Sequence, residues 1–423
     1  MISELRAGTG AKDLVVIGQG YVGLTLSVHG LKAGLTVLGV EPDHHRFERL
    51  RAGDSYVDDI DDAELLDALE SSRYHVVRRL DPATRINIAV IAVPTPLHEG
   101  SPDITAIVAA SQDIAPCLRR GSVVILESTT YPGTTEEVIR PILEAGSGLI
   151  AEEDFFLGYS PERIDPGNEQ WGLDSTPKLV SGIGPRSLEK VSEFYGMIVR
   201  EPITVSGTRE AELAKLVENS FRFINIAFAN EVAIMADSLG IDGWEAIRAA
   251  GTKPFGFMEF LPGPGTGGHC LPVDPIFLSW RSRTNAGQPM HMIETAKKVN
   301  DYMPHYVVER LLALLEDPSA EGKRVLLWGL SYKADSSDLR ESPGLNIAVL
   351  LRNRGFLVSA IDHWIDERSW PDDVHRVTSV DESYDAGIVV TDHSAFEWHE
   401  IGSLPFPVLD TRHRASGDNV TAL

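Results

Sequence analysis

Short apolar runs closed by glycine or an acid recur along this chain, with helical spacing between them. "DLVVIG" (13–18) reads as a buried parallel strand, apolar throughout because both faces are covered. "QGYVGLTLSVHGLKAG" follows with helical spacing, and "LTVLGVE" is a second strand. This strand–helix–strand order opens a doubly wound sheet. "INIAVIAV" (86–93), "SVVILES" (122–128) and "FFLGYS" (155–160) extend it.

The period then changes. Residues 208–239, "TREAELAKLVENSFRFINIAFANEVAIMADSL", hold no glycine or proline and predict one long helix. Thr208 suits its N-cap, and Glu210 and Glu212 favour its N-terminus. The run is apolar on more than one face, so the helix is expected to be buried and to join domains or subunits. At Arg324 the opening pattern returns. "RVLLWG" is a strand, "SPGLNIAVLLRNRG" a helix and "FLVSAID" a strand ending in an acid, with later strands at "AGIVVTD" (386–392) and "PVLD" (407–410). The expected fold is α/β: two Rossmann-like doubly wound domains joined by a central helical region. Its divisions are placed at 1–200, 201–300 and 301–423.

With 423 residues, the chain is long enough for two or three domains, each with its own core. A net charge of -24 repels phosphate backbones, so no nucleic-acid partner is expected. No uncharged apolar run is long enough for a membrane span. The start lacks a basic segment followed by an apolar one, so no signal peptide is expected. Two cysteines, Cys117 and Cys270, cannot form a disulfide framework, which fits a reducing cytoplasm. No CxxC or HExxH occurs and the histidines are scattered, so no metal is expected.

Gly18-Gln19-Gly20-Tyr21-Val22-Gly23 is GxGxxG, set between a strand and a helix. Glycines there permit a tight turn and close approach of a pyrophosphate, and the helix N-terminus supplies N–H donors. Glu41 ends the next strand, where it can accept hydrogen bonds from ribose hydroxyls; its charge repels a 2′-phosphate, which favours NAD over NADP. Thr95 and Thr129 follow later strands. Each is either an ordinary turn threonine or a ligand contact.

"PGPGTGGHC" (262–270) delivers Cys270 on an unusual backbone. A lone cysteine is commonly a small buried hydrophobe. Yet Gly263, Gly265, Gly267 and Gly268 cannot fill a core and suggest close approach to a ligand. Asp274 is placed to orient a water or influence the thiol. His269 is a poor partner, because adjacent side chains diverge. Lys215 and Asn219 lie four apart on the long helix, hence on one face. They read either as solvated residues or as donors for a developing oxyanion.

Taken together, "GQGYVG", "VPTP", "ESTTYPGT", "YSPERIDPG", "AELAKLVENSFR", "PGPGTGGHCLPVDP" and "GLSYKADSSDLRESP" resemble the UDP-glucose/GDP-mannose dehydrogenase family over nearly the whole chain. "TKPFGFMEFLPGPGTGGHCLPVDP" and "SPERIDPGN" are most similar to its UDP-N-acetylhexosamine branch, with UDP-N-acetylglucosamine foremost. The resemblance implies an N-terminal NAD domain, a central dimerisation region and a C-terminal nucleotide-sugar domain, in a cytoplasmic homodimer acting on a UDP-sugar. It implies four-electron oxidation at C6 through a thiohemiacetal and a thioester, with Cys270 as nucleophile. Lys215 and Asn219 would steady the oxyanion, Asp274 would hold a water, and Glu162, with Thr129 beside it, would act in thioester hydrolysis.

The same resemblance places Gly18, Gly20, Tyr21, Val22, Gly23, Glu41, Arg46, Thr95, Thr129 and Arg340 at the cofactor. It sets Glu162, Arg163, Lys215, Asn219, Phe260, the four glycines and Lys333 at the sugar nucleotide. Two departures stand out. Glu41 replaces a commoner aspartate, and no arginine lies between Arg248 and Cys270 to meet the new carboxylate. UDP- or dTDP-glucose, then GDP-mannose, are alternative substrates. A cysteine hydrolase and a non-catalytic sugar-nucleotide sensor are alternatives of other classes.

Overall fold

β1 (Ala11–Ile17) lies between β2 (Val37–Val40) and β4 (Arg85–Ile91), with Leu14 opposite both Val37 and Ile88. The computed structural model describes residues 11–57, 60–164, 172–173, 175–315, 319, 321–381 and 383–423. It divides into two compact units, 1–218 and 219–423.

In the first unit, β3 (Tyr74–Val77), β5 (Val123–Leu126), β6 (Phe156–Tyr159), β7 (Lys178–Gly182) and β8 (Pro202–Thr204) complete an eight-stranded sheet of order β8-β7-β6-β5-β4-β1-β2-β3. All neighbours are parallel except β6 and β7. Alternate residues face opposite cores, as a period of two requires. Leu14, Val16, Ile88, Val90, Val123 and Ile125 enter one core. Val15, Ile17, Ala89, Ile91, Val124 and Leu126 enter the other. Both faces are dry, which is why these strands read as unbroken apolar runs. The order reverses at β1, and sheets of this kind bind ligands beyond the C-terminal ends of the strands at such a point.

The second unit carries β9 (Arg324–Trp328), β10 (Leu357–Ile361), β11 (His375–Arg376), β12 (Ala386–Val389), β13 (Val408–Asp410) and β14 (Val420–Ala422). They form a parallel sheet of order β11-β10-β9-β12-β13-β14. Again two cores flank it: Val325, Leu327, Ala360 and Ile388 on one side, Leu326, Trp328, Ile361 and Val389 on the other. The last residue is tied in, since the Trp244 indole N–H donates to the Leu423 carbonyl at 3.0 Å.

Six helices matter for the site: α1 (Tyr21–Lys32), α2 (His44–Ala52), α3 (Thr208–Ser238), α4 (Asp274–Ala286), α5 (His291–Leu314) and α6 (Pro343–Asn353). Their starts follow capping chemistry. Asp43 accepts from the Arg46 N–H at 2.8 Å ahead of α2, and Ser342 from the Gly344 N–H at 3.0 Å ahead of α6, with Pro343 at its first position. α3 is the long helix the pattern predicts, but its N-terminal residues act elsewhere. The Thr208 hydroxyl donates to Glu136 at 2.9 Å. Glu212 turns away to cap a neighbour, accepting from the Gly133 and Thr135 N–H groups at 2.5 and 2.9 Å. Nor is α3 wholly buried: Val217, Phe221, Phe228 and Met235 are exposed in this chain. No described helix is long and apolar enough to cross a membrane.

Candidate active site

The glycines after β1 have distinct jobs. Gly18 has φ +88°, and a β-carbon there would strike the Ala92 carbonyl after β4. A β-carbon on Gly23 would overlap the Gly18 carbonyl, so Gly23 sets how closely α1 approaches the turn. Gly20 is different. Its φ is -73°, and a β-carbon would meet nothing within 4 Å. This bare position heads α1, which Tyr21 and Val22 open. The cradle fits the pyrophosphate of NAD: an uncrowded backbone at a helix N-terminus.

Glu41, buried at the end of β2, accepts from the Gln19 N–H at 3.1 Å and the Asp43 N–H at 3.0 Å. It therefore braces the glycine turn. Gln19 escaped notice in the sequence. It is fully buried, donates to the Val16 and Gly18 carbonyls, and accepts from Ser27 and Tyr74. A polar residue between two glycines, behind an apolar strand, was its only signal. Arg46 lies over the Tyr56 ring, 5.6 Å from its centroid, and the Tyr56 hydroxyl donates to the Gln19 carbonyl. Thr95 is buried after β4 and Thr129 half-buried after β5. Ser128 stitches these loops together, accepting from the Val93 N–H at 2.9 Å and donating to its carbonyl at 2.8 Å.

Beyond β6, Glu162 is held on both carboxylate oxygens. One accepts from the Arg163 and Ile164 N–H groups at 2.6 and 2.7 Å, the other from the Lys178 ammonium at 2.7 Å. Burial works against its charge, but Lys178 and those N–H donors outweigh it, and the carboxyl is held below its usual range. Arg163 is committed to Glu218 on α3 at 2.7 Å and to the Pro177 carbonyl. The rest of the "YSPERIDPG" block, from Asp165 onward, lies outside the described residues. Lys215 is only 8% exposed, and its ammonium has no hydrogen bond or ion pair with another described residue. Such a buried cation calls for an anionic or polar partner from a ligand.

The second unit holds the thiol. Cys270 is exposed, whereas Cys117 is buried. α4 begins four residues after Cys270, whose carbonyl accepts from the Asp274 N–H at 2.9 Å. Asp274 is buried in the first turn of α4, and the Asn219 amide donates to its carboxylate at 2.5 Å. Cys270, Asp274 and Asn219 are thus linked. Lys215 stands one turn before Asn219 on α3.

The glycine-rich approach to the thiol is fixed by this chain's own neighbours. The Gly263 N–H donates to the Asn230 side chain at 2.9 Å, and Asn230 donates to Asn300 on α5 at 3.0 Å. Gly265 has φ +127°, and a β-carbon would lie 3.1 Å from the Asn300 carbonyl. A β-carbon on Gly267 would lie 2.5 Å from Tyr332 and 2.9 Å from the Glu341 carbonyl, and one on Gly268 2.8 Å from the Tyr332 ring. The Gly268 N–H donates to the Arg340 carbonyl at 2.9 Å. So the glycines let the 331–343 loop, which carries Lys333 and Arg340, pack against the segment before Cys270. Phe260 packs edge-on against Phe221 of α3, with centroids 5.8 Å apart.

Arg340 is clamped on the Asp338 carboxylate, which, with lesser help from Tyr332 and Cys270, raises its pKa. Burial and, secondly, Arg340 push the His269 imidazole below its usual pKa.

Models of the UDP-glucose/GDP-mannose dehydrogenase family match the chain in three parts. The NAD-binding domain matches residues 12–199, the central domain 209–302 and the UDP-binding domain 326–415. A UDP-N-acetyl-D-glucosamine 6-dehydrogenase of Pseudomonas aeruginosa is 40% identical over 402 residues, 91% of this chain and 92% of that protein. A UDP-N-acetyl-D-mannosamine dehydrogenase of Pyrococcus horikoshii is 32% identical, covering 92% of each. Among solved structures, a UDP-D-ManNAc dehydrogenase from Pyrococcus horikoshii superposes with a TM-score of 0.86 at 29% identity, over 97% of this chain and 98% of that one. A UDP-glucose dehydrogenase from Pyrobaculum islandicum gives 0.84 at 27% identity, over 98% of both. The chain belongs to the UDP-glucose/GDP-mannose dehydrogenase family and is an NAD-dependent nucleotide-sugar dehydrogenase.

Proposed function

We propose that this enzyme oxidises the C6 hydroxyl of a UDP-N-acetylhexosamine, UDP-N-acetylglucosamine foremost, to the uronic acid through a covalent adduct on Cys270. The observation that carries the reading is the linked set Cys270, Asp274 and Asn219, with the buried Lys215 ammonium one helical turn away. NAD, when bound, accepts the hydrides of both oxidations, one molecule for each.

The chain's own residues do the rest. Cys270 adds its sulfur to the C6 aldehyde carbon, and the carbonyl electrons move to oxygen. Lys215 and Asn219 donate to that oxyanion. At the thioester stage, water adds to the carbonyl carbon and gives its proton to the Glu162 carboxylate. The C–S bond then breaks and the thiolate leaves with the electron pair. Asp274 orients water or accepts a proton beside the sulfur. Gly18, Gly20, Tyr21, Val22, Gly23, Glu41, Arg46, Thr95, Thr129 and Arg340 serve the cofactor. Arg163, Phe260, Gly263, Gly265, Gly267, Gly268 and Lys333 serve the sugar nucleotide.

Two relatives with names differing at the sugar leave C2 as the point of choice, and the 40% identity supports the gluco form. The exposed Val217, Phe221, Phe228 and Met235 recur at helical spacing on α3 and support a homodimer through that face. An exposed Cys270 thiol and a buried Cys117 fit a reducing cytoplasm. NADH production over a panel of UDP-, dTDP- and GDP-sugars tests the substrate. UDP-N-acetylglucosamine should give the highest kcat/KM; a clear preference for UDP-glucose or GDP-mannose refutes the assignment.

A further inference from the structure

Beneath Glu162 lies a buried charge cluster whose other two members, Lys178 and Glu127, have no part in the mechanism above. Lys178, at the start of β7, is 2% exposed and pairs with both Glu162 and Glu127. Glu127 follows β5 and is fully enclosed. One of its oxygens accepts from Lys178 and from the Tyr195 hydroxyl at 3.1 Å; the other has no hydrogen-bond partner among the described residues. The Lys178 ammonium also sits 5.3 Å from the Tyr195 ring centroid. Glu162 alone reaches solvent, with its side chain 15% exposed.

Two carboxylates share one ammonium. With all three ionised, the cluster holds a net negative charge in a dry setting, which is unfavourable unless one carboxylate binds a proton. Geometry decides which. Glu162 receives three donors, two of them backbone N–H groups. Glu127 is enclosed and has one oxygen without a hydrogen-bond partner among the described residues, and a neutral hydroxyl there costs less than an unpaired anion. The pKa directions agree: burial drives Glu127 up despite Lys178, while Glu162 is held down. Lys178 itself stays charged, because the two carboxylates outweigh its burial.

We propose that Lys178 is a positioning residue for the hydrolytic step: it keeps Glu162 an aimed carboxylate, while Glu127 carries the proton that keeps the cluster neutral. This rests on the reading of Glu162 as the group that takes the proton of the attacking water. Among the described residues, Arg163 is a further charged group beside Glu162, and its guanidinium is already committed to Glu218.

The test compares kcat–pH profiles and quenched turnover mixtures of wild type, Lys178→Met, Lys178→Arg and Glu162→Gln. Lys178→Met should lower kcat by about tenfold or more, with KM for NAD and UDP-sugar held within about twofold. Its acidic limb should move up by about one pH unit or more, because Glu162 loses its cation. A thioester on Cys270 should accumulate and be visible by mass spectrometry. Lys178→Arg should restore most of the limb position. A uniform loss of activity with an unmoved limb and no adduct would mark Lys178 as merely structural and overturn the proposal.

Glu162→Gln separates the two failures. If it still hydrolyses the thioester, the reading of Glu162 fails and the proposal with it. If it blocks hydrolysis but Lys178→Met leaves the limb in place, the proposal alone fails. Should Lys178→Met not fold, infrared difference spectra at pH 7 decide. Wild type should show the carbonyl stretch of a protonated carboxyl that Glu127→Gln abolishes; its absence from wild type overturns the proposal.

Discussion

Gly20→Ala separates the fold from the cofactor at one atom. The residue has φ -73° and ψ -163°, an extended conformation that alanine adopts without strain. Beyond its two chain neighbours, its added β-carbon meets no atom of a described residue within 4 Å. Gly20 is the N-cap of α1 and makes no side-chain capping bond, so alanine removes none. The stability change should therefore stay within about 0.5–1 kcal/mol. The cofactor should feel the methyl directly, because the second glycine of such a turn exists for the pyrophosphate to approach the backbone. A tenfold rise in KM for NAD, about 1.4 kcal/mol, is the least effect expected. The assay is a pair of measurements: thermal unfolding without NAD, and KM for NAD at saturating UDP-sugar. Gly23→Ala is the contrast, since its β-carbon overlaps the Gly18 carbonyl and should unfold the turn itself. An unchanged KM in stable Gly20→Ala would refute the placement of the pyrophosphate.

Other outcomes follow from the same geometry. Gly267→Ala should destabilise by about 1–3 kcal/mol, seen as a lower Tm, because its β-carbon meets Tyr332, the Glu341 carbonyl and Pro343. Glu212 is pushed up to about 7, burial outweighing its hydrogen bonds from Thr135 and Gly133. Its folded pKa thus exceeds the unfolded value of about 4.3, so its stabilising contribution is complete below that pH and is lost as pH rises toward 7. Denaturant unfolding should show wild type losing about 3 kcal/mol relative to Glu212→Gln between pH 4.5 and 8; parallel curves would contradict this. Asn219→Ala removes one of the proposed oxyanion donors and strips Asp274 of its 2.5 Å partner. Its kcat should fall about 10²-fold with KM for NAD little changed, by steady-state kinetics.

The strands and the long helix were legible because burial is periodic and local. Residues 13–17 of "DLVVIG" lie within β1, with Gly18 just past its end, and 208–239 differs from α3 by one residue. The positions of Cys270, Asp274, Lys215 and Asn219 were legible from motif order. Their partners were less so. Lys178 meets Glu127 across 51 residues and Gly263 meets Asn230 across 33, and no local pattern reports who stands opposite. The glycines before Cys270 show the same limit. Sequence says they lack side chains; only the fold shows that Tyr332 and Glu341 occupy the space beside Gly267. Glu212 looked like a helix-start residue and instead caps another helix. Propensity was satisfied by its position, while its hydrogen bonds were chosen by tertiary contact.

The central claim is that Cys270 carries the sugar between the aldehyde and the acid. Uronate formed by Cys270→Ala, measured with NAD and UDP-N-acetylglucosamine in excess, tests it most directly. No uronate should form, whereas wild type should make about two NADH per uronate. Uronate produced at the wild-type rate would contradict the covalent route.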